Sequence, residues 1–386
     1  MNFIPYGRQD ISQTDIDAVV DILRSDFLTQ GPAIEKFEAC LADYCNAKYA
    51  VAVNSATSAL HLACLALGVG AGDIVWTSPI TFVASANSAL YCGASVDFVD
   101  IDFQTNNISI SALKDKLEIA RLSNCLPAVV IPVHMGGACC DMESIYELSQ
   151  EYGFKIIEDA SHAIGGSYND SKIGATIYSD ITVFSFHPVK IITTGEGGAA
   201  LTNDKAILER LLLLRSHGIT RDPEQMTHAS EGGWYYQQIE LGFNYRMTDL
   251  QAALGLSQML RIDPFVAKRN ELAQRYNTQL SNLPLELPKK SKGIYSAFHL
   301  YIVKLNAQAP INRQELYKGL KSSNIGVNVH YIPVHLQPYY KKMGFSSGDF
   351  PEAERYYSKA ISLPLHPKLT LDEQDYVVCK LSELLR

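Results

Sequence analysis

The chain has no long lysine- or arginine-rich run, no long uninterrupted apolar run and no Cys-x-x-Cys pair, and each absence removes a class of function. Lysine and arginine number 33 against 41 aspartate and glutamate, a formal charge of -8, so the basic face that a nucleic acid requires is missing. No apolar stretch approaches the roughly 20 residues that span a bilayer. The opening Met1-Asn2-Phe3-Ile4-Pro5-Tyr6-Gly7-Arg8 also lacks the charged-then-apolar layout of a secretion signal. A cytoplasmic location is expected, with no nucleic-acid and no membrane partner. The eight cysteines (40, 45, 64, 92, 125, 139, 140 and 379) are scattered and sit mostly in apolar segments, as buried free thiols do. Adjacent Cys139 and Cys140 are poorly placed to chelate, so no metal site is expected.

What remains is a chain of 386 residues, 47% hydrophobic and 19% charged, long enough for a large core and for two domains. From about residue 46 to 200, β-rich runs at 49–53, 74–77, 95–99, 128–133, 155–158 and 181–185 alternate with helical stretches such as 58–67, 82–91 and 141–151. That alternation is the pattern of an α/β domain with a mainly parallel sheet, whose ligands collect at the carboxyl ends of the strands. Residues 248–276 read as a long helical region with a break near Pro264. Strand-like 301–305, helix-like 313–322, strand-like 327–331 and a closing helix at 371–385 then suggest a smaller α+β domain.

Three places combine residue types that carry chemistry. The apolar run Val183-Phe184-Ser185-Phe186-His187-Pro188-Val189-Lys190 leads into Gly195-Glu196-Gly197-Gly198 and delivers an amine at the end of a strand. Read alone, Lys190 is either a surface lysine or, if burial lowers its pKa, an amine able to form a Schiff base with an aldehyde cofactor. Asp159, closing Ile156-Ile157-Glu158-Asp159, is either a helix N-cap or the carboxylate that keeps a pyridine nitrogen protonated while Lys190 carries the aldehyde. Asn54-Ser55-Ala56-Thr57-Ser58 joins a strand to a helix through small residues, which serves N-capping and phosphate binding equally well. Phe82, at a helix start, is equally compatible with core packing.

Taken in order, Asn54-Ser55-Ala56-Thr57-Ser58-Ala59-Leu60, Thr81-Phe82-Val83-Ala84, Glu158-Asp159-Ala160-Ser161-His162, Ser185-Phe186-His187-Pro188-Val189-Lys190, Gly195-Glu196-Gly197-Gly198 and Gly242-Phe243-Asn244-Tyr245-Arg246-Met247 resemble the sugar aminotransferases of the DegT/DnrJ/EryC1/StrS family. The resemblance covers nearly the whole chain. It implies the fold type I of aspartate aminotransferase: a large domain at 1–250 that binds pyridoxal 5′-phosphate, a small one at 251–386, and a homodimer with shared active sites. By the same resemblance Lys190 carries the cofactor aldehyde, Asp159 pairs with the pyridine nitrogen and Phe82 stacks on the ring. Ala56, Thr57 and Ser185 hold the phosphate, with Asn244 reaching it from the partner subunit, and His162 bonds the 3′-oxygen.

A narrower likeness lies in Phe27-Leu28-Thr29-Gln30-Gly31-Pro32, in His187-Pro188-Val189, in Asn328-Val329-His330-Tyr331-Ile332-Pro333-Val334-His335 and in Leu363-Pro364-Leu365-His366-Pro367. These segments resemble the branch that aminates a UDP-linked 4-keto sugar for pseudaminic acid. That branch implies L-glutamate as donor and Tyr6, Thr29, His187, Arg246, His330, Tyr331 and His335 as substrate-binding residues. Arg246 and Arg8 are the candidates for the donor carboxylate. A dehydratase branch carries His at the lysine position, and Lys190 argues against it. The retained Lys190 and Asp159 argue against a non-catalytic sugar-nucleotide sensor. A nicotinamide oxidoreductase is disfavoured because Gly68-Val69-Gly70-Ala71-Gly72 precedes a strand instead of following one.

Overall fold

The computed structural model describes residues 2–386, in which seven strands form the central sheet. They are β1 (Tyr49–Val53), β2 (Ile74–Thr77), β3 (Ser95–Phe98), β4 (Val129–Ile131), β5 (Lys155–Asp159), β6 (Ile181–Ser185) and β7 (Gly198–Thr202). Their order is β1-β7-β6-β5-β4-β2-β3, and every pairing is parallel except the two made by β7. Around the sheet lie α1 (Gln13–Leu23), α2 (Pro32–Cys45), α3 (Ala56–Ala66), α4 (Ala84–Tyr91), α5 (Ile110–Leu122), α6 (Met142–Tyr152) and α7 (Lys205–Arg215).

Side chains alternate across a strand, and here both faces are apolar. Ala50, Trp76, Val130, Ile156 and Phe184 pack with α2, α5 and α6, whereas Val51, Val75, Val129, Ile157 and Val183 pack with α3, α4 and α7. The sheet is therefore the middle of three layers, and only its strand ends are open to a ligand. The sequence reading did not anticipate β7. Its Gly198-Ala199-Ala200 start has little strand preference of its own, and pairing with β1 on one side and β6 on the other imposes the extended form.

Beyond the sheet the helical region is two helices, α8 (Asp249–Met259) and α9 (Ile262–Gln279). The break falls at Leu260 and Arg261, and Pro264 lies in the first turn of α9, where its missing N–H has no carbonyl to bond anyway. A second antiparallel sheet, β8 (Leu285–Glu286), β9 (Tyr301–Leu305) and β10 (Ala360–Leu363), packs with α10 (Arg313–Ser322) and, beyond α11 (Pro351–Lys359), with α12 (Leu371–Leu385). Capping boxes start α10 and α12, Asn312 with Glu315 and Thr370 with Glu373. Ile4 joins this core and bridges Ile325. The strand expected at 327–331 is not formed. Asn328 makes a single bridge to Ser362, after which His330 and Tyr331 turn towards the open strand ends of the large sheet. Among the described residues, no helix is long and apolar enough to cross a membrane.

Candidate active site

The loop after β6 is folded back so that the chain can re-enter the sheet as β7. Phe186 N–H bonds Gly197 O at 2.9 Å, and Phe186 O accepts from Thr194 N at 3.0 Å and from Thr193 Oγ1 at 3.0 Å. Within the loop, His187 O accepts from Lys190 N at 2.9 Å across a turn with Pro188 at its second position, where a fixed φ is favoured. Lys190 is thereby aimed at the carboxyl ends of β5 and β6. The register pairs Asp159 with Val183, so the two-residue period places Asp159 and Ser185 on one face. Lys190, Asp159 and Ser185 all line a cavity of about 440 Å³.

One end of the cavity suits an anion. Ser55 caps α3 by accepting from Ser58 N at 3.1 Å, which leaves the Ala56 and Thr57 N–H groups with no helical carbonyl to bond. Thr57 and Ser185 line the same cavity. Gly198 lets β7 begin against this helix start, since a Cβ there would stand 2.5 Å from Ala56 N. Backbone N–H groups, hydroxyls and the positive helix end together make a phosphate cradle.

The middle of the cavity suits a flat ring. Phe82 lines it and is 59% exposed, with the Tyr331 ring tilted against it at 6.2 Å, so an apolar aromatic face remains open to the cavity. Asp159, only 5% exposed, accepts from Ser85 Oγ at 2.6 Å and from Ser161 N at 3.2 Å. Burial pulls Lys190 down to about 8, against the opposing pull of the Asp159 carboxylate. A neutralisable amine, a buried carboxylate, an exposed aromatic face and a phosphate cradle in one cavity fit pyridoxal phosphate.

The part of the wall made by Tyr6, His162, His299, His330 and Tyr331 is aromatic and uncharged. His162 Nε2 lies 3.2 Å from Tyr331 Oη, and its Nδ1 accepts from Gly136 N at 3.4 Å. His330 Nδ1 meets Ser362 Oγ at 2.8 Å, its carbonyl accepts from Tyr356 Oη at 2.6 Å, and its ring lies 5.4 Å from Tyr6. Burial, reinforced by the positive charge of Lys190, drives His162 well below the usual imidazole range and His330 down to about 3. Burial also raises the Tyr331 phenol, with Asp159 adding to it. The sequence reading missed His299, which lines the cavity 4.5 Å from the His162 ring and is pushed well below its ordinary pKa by burial. Its carbonyl is held by buried Arg269, which also bonds the carbonyls of Phe298 and Leu365. No motif flags a histidine at the start of a strand in another sheet.

The cavity gathers Tyr6, Ala56, Thr57, Phe82, Asp159, His162, Ser185, His187, Lys190, His330 and Tyr331. It does not gather the rest of the expected set. His335 is a correction: fully buried, it bonds Glu354 Oε1 at 3.0 Å and packs between Phe98 and Phe350, so the chain's turn after Pro333 takes it away from any ligand. Thr29 and Arg246 also lie outside this cavity, each tied into a bridge, Thr29 to Thr248 and Arg246 to Val53. Arg8 and Asn244 are exposed and likewise outside it.

On the opposite face of β5, Glu158 forms a buried group with His134 and Cys139, their ligand-type atoms within 4.8 Å of one another. The donors are already engaged. His134 Nε2 lies 2.8 Å from Glu158 Oε2 and its Nδ1 accepts from Cys140 N, while Ser179 and Thr182 donate to Glu158 Oε1. The group ties β4 to β5 behind Asp159.

Residues 9–382 match the DegT/DnrJ/EryC1/StrS aminotransferase family. The spore coat polysaccharide biosynthesis protein SpsC of Bacillus subtilis is 39% identical over 100% of this chain and 98% of its own length. A UDP-4-amino-4,6-dideoxy-N-acetyl-beta-L-altrosamine transaminase of Campylobacter jejuni is 37% identical over 99% of this chain and 97% of its own. Among solved structures, Helicobacter pylori PseC, an aminotransferase involved in the biosynthesis of pseudoaminic acid, superposes with a TM-score of 0.91 at 29% identity, covering 100% of this chain and 99% of that one. The pyridoxal phosphate form of a sugar aminotransferase from Streptococcus pneumoniae gives 0.89 at 29% identity, covering 100% of both chains. The cavity described above therefore sits in a sugar aminotransferase that uses pyridoxal phosphate, and the chain belongs to the DegT/DnrJ/EryC1/StrS aminotransferase family.

Proposed function

We propose that this aminotransferase moves the amino group of L-glutamate to C4 of UDP-2-acetamido-2,6-dideoxy-β-L-arabino-hexos-4-ulose, giving UDP-4-amino-4,6-dideoxy-N-acetyl-β-L-altrosamine for pseudaminic acid synthesis. The observation that carries the reading is the convergence of Lys190 and Asp159 beneath a neutral wall of Tyr6, His330 and Tyr331. The name of the Campylobacter jejuni relative supports the choice of sugar. The work is cytoplasmic and is done by a homodimer with shared active sites.

Bound pyridoxal phosphate supplies an aldehyde that exchanges amines and a ring that takes up the electron pair released at carbon. The chain's own residues do the rest. Lys190 is the catalytic residue: it would hold the aldehyde until the amine of L-glutamate displaces it, and the amine so released would take the proton from the donor α-carbon and deliver one to sugar C4; a pKa of about 8 keeps part of it neutral near pH 7. Asp159 keeps the ring nitrogen protonated, which is the main electrostatic contribution. Phe82 covers one face of the ring, while the Ala56 and Thr57 amides, the Thr57 and Ser185 hydroxyls and Asn244 of the partner subunit hold the phosphate. His162, with its proton on Nε2, donates to the 3′-oxygen. Tyr6, His187, His330 and Tyr331 receive the sugar nucleotide, whose hydroxyls and acetamide suit neutral donors and acceptors.

The test is product identification. Enzyme, pyridoxal phosphate and L-glutamate are incubated with a panel of UDP-linked 4-keto-6-deoxy sugars, and the amino product is assigned by NMR. The L-arabino sugar should be aminated and Lys190→Ala should not turn over. Success on only the D-xylo epimer replaces the proposed acceptor. Robust turnover by Lys190→Ala removes the assigned role of the lysine.

A further inference from the structure

Ser85 lies on α4 with no exposed surface, and its hydroxyl is 2.6 Å from Oδ2 of Asp159, a contact between residues 74 positions apart. An ionised carboxylate only accepts, so Ser85 donates. The next neighbour of that hydroxyl is Thr81 Oγ1 at 2.7 Å. With the Ser85 proton committed to Asp159, Thr81 becomes the donor and Ser85 the acceptor. Phe82 O, at 3.5 Å, is too distant to compete for the Ser85 proton. Two buried hydroxyls thus run in one direction into the carboxylate. The other oxygen, Oδ1, receives the Ser161 N–H.

This arrangement is not explained by helix capping. The N-cap position of α4 is Val83, which makes no side-chain cap, and the Ser85 hydroxyl leaves its own helix for β5. Hydrogen bonds to a carboxylate favour its charged form and fix its plane.

We propose that Ser85, backed by Thr81, is a positioning residue that fixes the plane of the Asp159 carboxylate and keeps it aimed at the ring nitrogen of bound pyridoxal phosphate. The inference rests on the role given to Asp159 in the proposed function. The titratable groups that line the cavity with Asp159 are Lys190, Tyr6, Tyr331, His162, His187, His299, His330 and Glu196, and none of them is altered by substitution at residue 85.

The experiment uses wild type, Ser85→Ala, Thr81→Val and Asp159→Ala, each freed of cofactor and titrated with pyridoxal phosphate. Protein fluorescence reads affinity, and the visible absorbance is followed against pH. Ser85→Ala should bind about tenfold more weakly, the effect of losing one hydrogen bond to a charged group. Its ring proton should be lost about one pH unit lower than in wild type. Thr81→Val should move both readouts in the same direction by less, and it decides the matter if Ser85→Ala does not fold. A purely structural hydroxyl would alter thermal stability and leave the pH midpoint in place. Affinity within twofold of wild type and an unmoved midpoint in the folded hydroxyl variants, with both changed in Asp159→Ala, overturns the inference about Ser85 alone. Wild-type behaviour of Asp159→Ala overturns the role of Asp159 and the inference with it.

Discussion

The Gly136 N–H donates to Nδ1 of His162 at 3.4 Å and so places the ring's proton on Nε2, which lies 3.2 Å from the hydroxyl of Tyr331. The tautomer is set by the backbone, and burial keeps the ring from taking up a second proton. His162 is therefore a neutral donor towards the cavity. Replacing His162 by Gln retains a donor and should leave the affinity for pyridoxal phosphate within a few-fold of wild type. His162→Leu should weaken it by about tenfold, the effect of one hydrogen bond lost. Fluorescence titration of the two variants distinguishes them.

Lys190 gives the cofactor-free protein a pH-dependent stability whose sign is fixed. Its ordinary pKa is 10.5 and burial lowers it to about 8 in the folded chain. Between those values the unfolded chain holds a proton that the folded chain does not, so stability rises with pH through the window and this penalty is full below it. Lys190→Met removes the penalty. The variant should melt above wild type at pH 7, and the gap should narrow and close by about pH 10.5. Thermal melts of both proteins without cofactor, across that range, check the prediction.

Gly198 is the point at which β7 touches the start of α3. A Cβ there would lie 2.5 Å from Ala56 N and 2.6 Å from the Ser55 carbonyl carbon, neither of which is a side chain able to move aside. Gly198→Ala must therefore push the strand away from the helix or the helix away from the cradle. Overpacking of this kind costs about 1–3 kcal/mol. The expected result is a lower urea midpoint together with a larger loss of affinity for pyridoxal phosphate than for pyridoxal, whose missing phosphate makes it indifferent to the cradle. Equal losses for the two compounds would remove the cradle from the explanation.

How much of this was legible in the sequence depended on the range over which a signal acts. Strands β1 to β6 are runs of apolar residues bounded by turn residues, and Asp159, Lys190 and the Ala56-Thr57 turn stand at ends of such runs, so local pattern located them. Strand β7 was missed because Ala199 and Ala200 have no strand preference and its extended form is imposed by pairing with β6 across a loop and with the distant β1. His299 and Ser85 were missed for the same reason. His299 reaches the cavity from the start of β9 because Arg269 holds its carbonyl and that of Phe298. Ser85 looks like any small helix residue until β5 is placed beside α4. The 327–331 run shows the converse failure, in which apolar alternation suggested a strand but the residues divide between the small core and the cavity.

His335 provides the sharpest contrast between spacing and position, because His330, Tyr331 and His335 are close in sequence and only the first two line the cavity. His335 bonds Glu354 at 3.0 Å, and Glu354 in turn accepts from Ser347 Oγ at 2.7 Å and Gly348 N at 2.6 Å. The imidazole ring fills space between Phe98 and Phe350, 6.5 Å and 4.8 Å from their centroids. His335→Ala thus opens a buried void and strips a partner from a carboxylate, which together should cost about 3 kcal/mol. Because no atom of His335 reaches the cavity, KM for the sugar nucleotide should stay within about twofold of wild type under conditions where the variant is folded, a change of less than 0.5 kcal/mol. His330→Ala should behave in the opposite way, raising KM more than it lowers stability, since its ring forms cavity wall beside Tyr6. Urea unfolding and steady-state kinetics on the two variants separate the roles, and a large rise in KM for folded His335→Ala would return that residue to the substrate site.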